Sequence, residues 1–266
     1  MQIPPPSAPS AAEPPLALLW DVDGTLAETE LDGHRRAFNR AFAEEGLPWR
    51  WDAATYLEWL AISGGRERLR AFLSAREGQP PCEARIERLQ ARKQVHYGEL
   101  VRSGGLALRP GVARLMRQAA AAGLPQAIVT TSGRQAVEAL LAGAGAELRP
   151  ALSFWICGED VQRKKPDPEG YRAALARLAL APASALAIED SRNGLLAASG
   201  AGLPCLVTLS LSSRHEAAAG PAAFEAALAV LDGLGSPQKP LRVLRGPACP
   251  EGQVTLAWLS ACWGGR

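Results

Sequence analysis

Two carboxylates two residues apart, Asp21 and Asp23, stand where an apolar run breaks off in LALLWDVDGTL, residues 16–26. Residues i and i+2 of an extended chain face the same way, so both can address one ligand. Like charges this close need a cation or a proton between them. The stretch also reads as a strand closing in an Asp-Gly turn, which needs no ligand. Three later segments carry chemistry of the same kind. Thr130, Thr131 and Ser132 end the β-rich run QAIVTTSGR, and a helix follows. Hydroxyls feeding a helix N-terminus suit a phosphate. An N-cap serine would account for Ser132 but leaves Thr130 without a purpose. Lys165, held extended by Pro166, is either a solvated turn charge or a point charge aimed into a crevice. Glu189 and Asp190 close the strand ALAIED as a second acidic pair. Two acidic pairs at one edge of a parallel sheet are what a hard divalent cation with oxygen ligands requires.

These residues need a scaffold that brings four strand ends together. The apolar run closed by a Gly turn suits a buried strand of a parallel sheet, with ligands beyond the carboxyl ends of the strands. From Gly111 onward strands and helices alternate: the helix GVARLMRQAAAAG, the strand at 126–131, the helix RQAVEALLAG, the strand FWIC, the helix YRAALARLAL, ALAIED, the helix LLAASGAG and the strand PCLVTL. The Ala-rich stretch to Leu234 contains one helix. VTLAWLSACW fits either an edge strand or a closing helix.

Between Glu28 and about Val101 the pattern is helical without a strand, with apolar residues at helical spacing (Leu57, Leu60 and Ala61; Ile86, Leu89 and Val95). A helical block inserted straight after the first strand reads as a lid, with Ser103-Gly104-Gly105 as its return hinge. Trp49, Trp51 and Trp59 read as lid core, and His96 as a surface residue without a partner. Glu30 and His34, four apart, share a face if helical and lean over the aspartates; they also fit a solvated i,i+4 pair. The loop Ser63-Gly64-Gly65-Arg66-Glu67-Arg68 precedes a helix and suits an anion, or is an interhelical turn with solvated arginines. The expected architecture is an α/β, Rossmann-like parallel-sheet core (16–30 and 105–266), an α-helical C1-type cap (31–104) and a disordered Pro-rich arm (1–15).

Composition bounds the rest. With 47% hydrophobic and 21% charged residues among 266, the chain can bury a real core. A net charge of +2 gives no case for a nucleic-acid or acidic membrane partner. No apolar run approaches the ~18 residues of a membrane span, and the arm lacks the regions of a secretory signal. Five scattered cysteines, never in a CxxC, imply a reducing compartment. A cytoplasmic monomer is expected, or a plastid-stromal one in a eukaryotic phototroph.

The ordered set Asp-x-Asp, Thr-x-Ser, Lys-Pro and Glu-Asp at four strand ends resembles the haloacid dehalogenase superfamily of phosphatases and phosphomutases, over about residues 16–234. DVDGTLAETELDGHRRAFN, the ISGGRER loop and the terminal PEGQVTLAWL look like the CbbY group, xylulose-1,5-bisphosphate phosphatases that clear a misfire product of Rubisco. Arg66 stands where that group usually has Lys, and a guanidinium prefers bidentate phosphate contact. The resemblance implies a small phosphorylated sugar as substrate and Mg2+ held by Asp21, Asp190, Glu189 and the Asp23 carbonyl. It implies Asp21 as nucleophile and Asp23 as general acid and base. Thr130, Ser132 and Lys165 would hold the transferring phosphoryl oxygens. Glu30, His34, Arg66, Arg68, Thr131, Arg134 and Asn193 would bind the rest of the substrate. A phosphomutase resembling β-phosphoglucomutase and a broad sugar-phosphate or phosphoglycolate phosphatase share these motifs. A non-catalytic phosphosugar-binding regulator would be favoured by loss of an aspartate or of the motif lysine, yet all are present.

Overall fold

Strand β1 (Ala17–Trp20), fully buried, lies in the middle of the molecule. In the computed structural model, which describes residues 17–218 and 221–264, it pairs in parallel with β2 (Gln126–Val129) and β4 (Ala185–Glu189). The arm expected at 1–15 falls outside the described residues. β3 (Phe154–Ile156), β5 (Cys205–Thr208), β6 (Ala229–Leu231) and β7 (Val243–Arg245) complete a seven-stranded sheet of order β3-β2-β1-β4-β5-β6-β7, parallel except for β7. Side chains alternate across β1. Leu18 and Trp20 join one apolar cluster, Ala17 and Leu19 the other. Both faces are covered, so the strand is apolar throughout.

The helices of the core sort onto these two faces. α5 (Val112–Ala121), α6 (Arg134–Gly143) and α10 (Leu256–Gly264) cover one, α7 (Glu169–Leu178) and α8 (Arg192–Gly200) the other. α9 (Arg214–Ala218) follows β5. The register matters most for the site. Trp20 lies opposite both Ile128 and Ile188, so Asp21 leaves the sheet level with Val129 and Glu189. The Asp21 N–H still reaches the Ile188 carbonyl at 3.0 Å, and the Thr130 N–H that of Ile156 at 3.0 Å. The four chemical segments therefore share one edge.

The insertion after β1 is helical as expected: a π-helical turn at Glu30–His34, then α1 (Arg35–Glu44), α2 (Ala53–Trp59), α3 (Gly65–Glu77) and α4 (Glu83–Arg102). It has an aromatic core of its own around Phe38, Phe42, Trp51, Tyr56 and Phe72, with Trp49 and Trp59 packed against it. The Asn39 amide clamps the Trp51 backbone from both sides, at 2.7 Å each way. Where the chain enters and leaves this insertion the two linkers touch: Ala27 bridges Leu108, and the Arg109 N–H donates to the Leu26 carbonyl at 2.8 Å.

Two expectations change, and one open choice is decided. The Ala-rich stretch before Leu234 holds a strand, β6, besides a helix; three residues (Ala229–Leu231) are too few for periodicity to show. Of the two readings of VTLAWLSACW the closing helix holds, with α10 beginning at Leu256 and Leu259 buried, while β7 forms an edge strand further upstream. His96 is not free; its Nε2 lies 2.8 Å from Glu44 on α1. Among the described residues no helix is long and apolar enough to cross a membrane, and all five cysteines are unpaired.

Phe72 is 2% exposed and meets the rings of Phe42, Trp49, Trp51 and Trp59. Phe72→Ala should destabilise by about 3–5 kcal/mol, the usual cost of emptying such a site. Denaturant unfolding measures this; a loss below about 1 kcal/mol would show that the cluster collapses around the gap.

Candidate active site

At the shared edge, three carboxylates and one ammonium are buried together. The Lys165 Nζ lies 2.7 Å from Asp21 Oδ1, 2.6 Å from Glu189 Oε1 and 2.7 Å from the Val129 carbonyl. Tyr171 O–H donates to the same Glu189 oxygen at 2.5 Å, and Ser210 O–H donates to Asp190 Oδ2 at 2.5 Å. Burial pushes Asp21 up to about 7 against the pull of Lys165. Burial and the Asp21 charge drive Asp190 well above the usual range. Lys165, which burial alone would lower, is raised by Asp21 and Glu189. One ammonium does not neutralise three carboxylates.

That deficit is what a divalent cation would meet. Asp21, Glu189 and Asp190 each present a carboxylate oxygen within 4.8 Å of the others. Glu189 Oε2 is buried without a hydrogen-bond partner, an acceptor awaiting a donor or a metal. The all-oxygen donor set suits Mg2+. The turn after β1 is shaped to fit. Gly24 has φ of +86°, and a Cβ there would lie 2.1 Å from Asp190 Oδ2.

Asp23 faces a different neighbourhood. Thr29 O–H (2.5 Å) and His34 Nε2 (2.8 Å) meet its Oδ1, and Ser132 O–H (2.5 Å) its Oδ2. Burial pushes Asp23 up, but His34 and these hydrogen bonds outweigh it and hold the carboxyl well below the usual range. Behind His34, the Lys93 Nζ lies 2.9 Å from Nδ1, and Tyr97 stacks on the imidazole at 4.4 Å. With Lys93 donating to Nδ1, the ring proton sits on Nε2 and points at Asp23. Burial pushes Lys93 down to about 8, against the pull of Asp23 and Glu30.

Two cavities meet at Asp23. A small one (≈ 70 Å³) holds Asp21, Asp190, Lys165 and Thr131. A larger one (≈ 360 Å³) opens under the helical insertion and is lined by Ser132, His34, Arg66, Lys93 and Lys164 among others. Arg66, on the first turn of α3, makes no hydrogen bond or ion pair among the described residues, and Glu83 is the carboxylate that feels its charge. Arg68 is buried and committed: it bonds the Tyr56 hydroxyl at 3.0 Å and the Trp59 carbonyl at 3.1 Å, with Glu30 3.8 Å away. Glu30 in turn accepts Tyr56 O–H at 2.5 Å. So Glu30 and His34 share the π-helical turn yet do not pair with each other. Thr130 is buried, and its Oγ accepts the Ser132 N–H at 3.1 Å, aiming Ser132 at Asp23. Asn193 donates to Ser63 Oγ at 3.1 Å, tying the core to the inserted helices.

One candidate lies elsewhere. Arg134 opens α6 but pairs with Asp160 at 2.6 Å, half-exposed, and lines neither cavity. Glu159 accepts the backbone N–H at the helix start, while Asp160, which also accepts the Cys157 N–H, captures the guanidinium. Lys93, Lys164, Gln90 and Gln94 line the larger cavity without having stood out in the sequence. The spacing of Gln90, Lys93 and Gln94 on one face of α4 was the available signal.

The family model for haloacid dehalogenase-like hydrolases matches residues 16–202. Protein CbbY of Cupriavidus necator is 45% identical over 230 residues, covering 85% of this chain and 88% of that protein. A phosphoglycolate phosphatase of Shigella dysenteriae is 32% identical over 200 residues, 70% of this chain and 77% of its own. Among solved structures, CbbY from Rhodobacter sphaeroides superposes with a TM-score of 0.74 at 42% identity, over 82% of this chain and 94% of that one. It has been solved with phosphate and, as a variant, with xylulose-(1,5)bisphosphate.

Lys93 gives a pH signature. Its folded value, about 8, lies below the roughly 10.4 of an unfolded lysine. Between the two the unfolded chain binds the extra proton, so Lys93 makes stability rise with pH, and that stability is lost as pH falls through 8. Lys93→Met should therefore gain on wild type at about pH 7 and lose that advantage by about pH 10, a swing on the order of 3 kcal/mol. Denaturant unfolding at both pH values checks this. A stability difference independent of pH would show that Lys93 is not held against its charge.

Proposed function

Because the chain belongs to the haloacid dehalogenase-like hydrolase family and is a phosphatase, we propose that it removes a phosphate from xylulose 1,5-bisphosphate, with Mg2+ and through an aspartyl-phosphate on Asp21. The observation that carries this reading is a pair of cavities that meet at Asp23, each lined by a cation. Lys165 sits beside Asp21 in the smaller, and Arg66, without a hydrogen bond or ion pair among the described residues, stands in the larger, on the first turn of α3. A helix start bearing a guanidinium is a seat for a phosphate. A short sugar with a phosphate at each end would engage both cations. The solved complex of the Rhodobacter sphaeroides variant with that bisphosphate supports the choice.

The residues divide the work. Asp21, Glu189 and Asp190, with the Asp23 carbonyl, would hold Mg2+. When bound, the ion supplies positive charge that relieves repulsion between a phosphate ester and Asp21. Asp21 attacks phosphorus, and Lys165 stabilises both the carboxylate and the phosphoryl oxygens. Asp23 protonates the leaving sugar oxygen and then takes a proton from the water that cleaves the aspartyl-phosphate. Its ionised form, favoured by His34, Ser132 and Thr29, is the base of the second half. For the first half it must carry a proton, so substrate has to exchange some of those hydrogen bonds for its own. Residues 31–104 act as a cap that brings Arg66 and His34 over the core. Such an activity would clear an inhibitor of Rubisco, as the likeness to the CbbY group implies.

The test is kcat/KM, with Mg2+ present, for xylulose 1,5-bisphosphate and for a small sugar monophosphate, in wild type and Arg66→Ala. Loss of a charged hydrogen bond, roughly 1.5–3 kcal/mol, should cut bisphosphate turnover about 10–100-fold. Monophosphate turnover should change little. Equal losses on both substrates would show that Arg66 supports the cap rather than reading the distal phosphate, and the bisphosphate assignment would fall.

A further inference from the structure

Resting on the Mg2+ reading above, we propose that Ser210 is a positioning residue that fixes Asp190 in its metal-holding orientation. Ser210 lies on the loop between β5 and α9 and is fully buried. Its hydroxyl sits 2.5 Å from Asp190 Oδ2, and the direction of that bond is decided by the rest of its contacts. The Ser213 backbone N–H donates to Ser210 Oγ at 3.1 Å, while Ser210 N–H donates to Ser213 Oγ at 2.9 Å. Ser212 Oγ lies 2.9 Å away and can donate as well. With Ser210 Oγ accepting from the loop, its own proton is left for the carboxylate. Oδ2 of Asp190 is thus held by Ser210, in a carboxylate that presents an oxygen within 4.8 Å of those of Asp21 and Glu189.

The loop is itself held against the turn that follows β1. The buried Arg109 guanidinium donates to the Gly24 carbonyl, to the Thr208 carbonyl at 2.9 Å and to the Leu209 carbonyl at 2.7 Å. Gly24 leaves the space in which Asp190 and Ser210 meet, since a Cβ there would also lie 2.9 Å from Ser210 Cβ. Partners that orient a metal-holding carboxylate commonly change metal affinity 10- to 100-fold when removed. Ser210, which alone of the three serines at 210, 212 and 213 bonds Asp190, is therefore the outer layer of the cation site.

Calorimetric titration of metal-free protein with Mg2+ tests this, using wild type, Ser210→Ala and Ser212→Ala, with thermal melting of each metal-free protein alongside. Ser210→Ala should melt like wild type without metal yet bind Mg2+ about tenfold more weakly or worse. Ser212→Ala, which touches Ser210 but not Asp190, should bind close to wild type. Wild-type affinity in Ser210→Ala, or an equal loss in both variants, would overturn the assignment. If Ser210→Ala does not fold, Ser210→Cys keeps the volume with a weak donor and should show the same loss; unchanged affinity there overturns it equally. A wild-type protein that binds no Mg2+ would overturn the metal reading together with this one, whereas a failure confined to Ser210→Ala leaves the metal reading standing.

Discussion

Three carboxylates buried around a single ammonium are the constraint on which this structure turns. Asp21, Glu189, Asp190 and Lys165 are all under one-tenth exposed. Buried charge is tolerated only when paired and hydrogen-bonded, and one lysine cannot pair three anions. The surroundings read as responses to that imbalance. Tyr171 donates to Glu189, Ser210 to Asp190, and Lys165 bridges Asp21 and Glu189. What these donors leave uncompensated is a candidate seat for a cation, and in the function proposed above that cation would let a phosphate approach Asp21.

The inserted helices solve a separate problem, that of presenting polar groups over the site without exposing it. Their aromatic core packs the block together, and Tyr56 belongs both to that core and to the Glu30–Arg68 pair. Arg68 is thereby consumed in holding the block together, while Arg66, two residues earlier, stays available. Contacts across the cleft bring the block down on the core: Glu67 meets Lys164 at 2.8 Å and Asn193 meets Ser63. Each contact joins a loop residue, Lys164 or Ser63, to one on the first turn of a helix, Glu67 or Asn193, and all four line the cavities.

What could be read from the sequence was whatever sits at strand ends. Asp-x-Asp, Thr-x-Ser, Lys-Pro and Glu-Asp are short, and their positions follow from where apolar runs stop. The parallel register then carries them to one edge. The helical insertion was equally plain, because its apolar spacing runs unbroken by strand. Less legible were residues whose role depends on how one element docks on another. Lys93 lies in a charged helix where a lysine looks solvated, yet it is buried against His34. Arg134 carried the right type at the right helix start, but Asp160 captured it. Ser210 and Arg109 sit in loops with no motif, and only the folded contacts reveal that they brace Asp190 and the turn after Asp23. β6 is simply too short for its pattern to outweigh an Ala-rich surrounding.

The central claim is that Asp21 becomes phosphorylated. It is tested most directly by stopping the reaction in acid during turnover of xylulose 1,5-bisphosphate and reducing the denatured protein with borohydride. An acyl phosphate is converted to an alcohol under these conditions, so the peptide containing Asp21 should carry homoserine in its place. The conversion should depend on substrate and on Mg2+, and Asp23 should stay intact. Phosphate release at full rate with Asp21 unmodified at every quench time, single-turnover points included, would contradict the account.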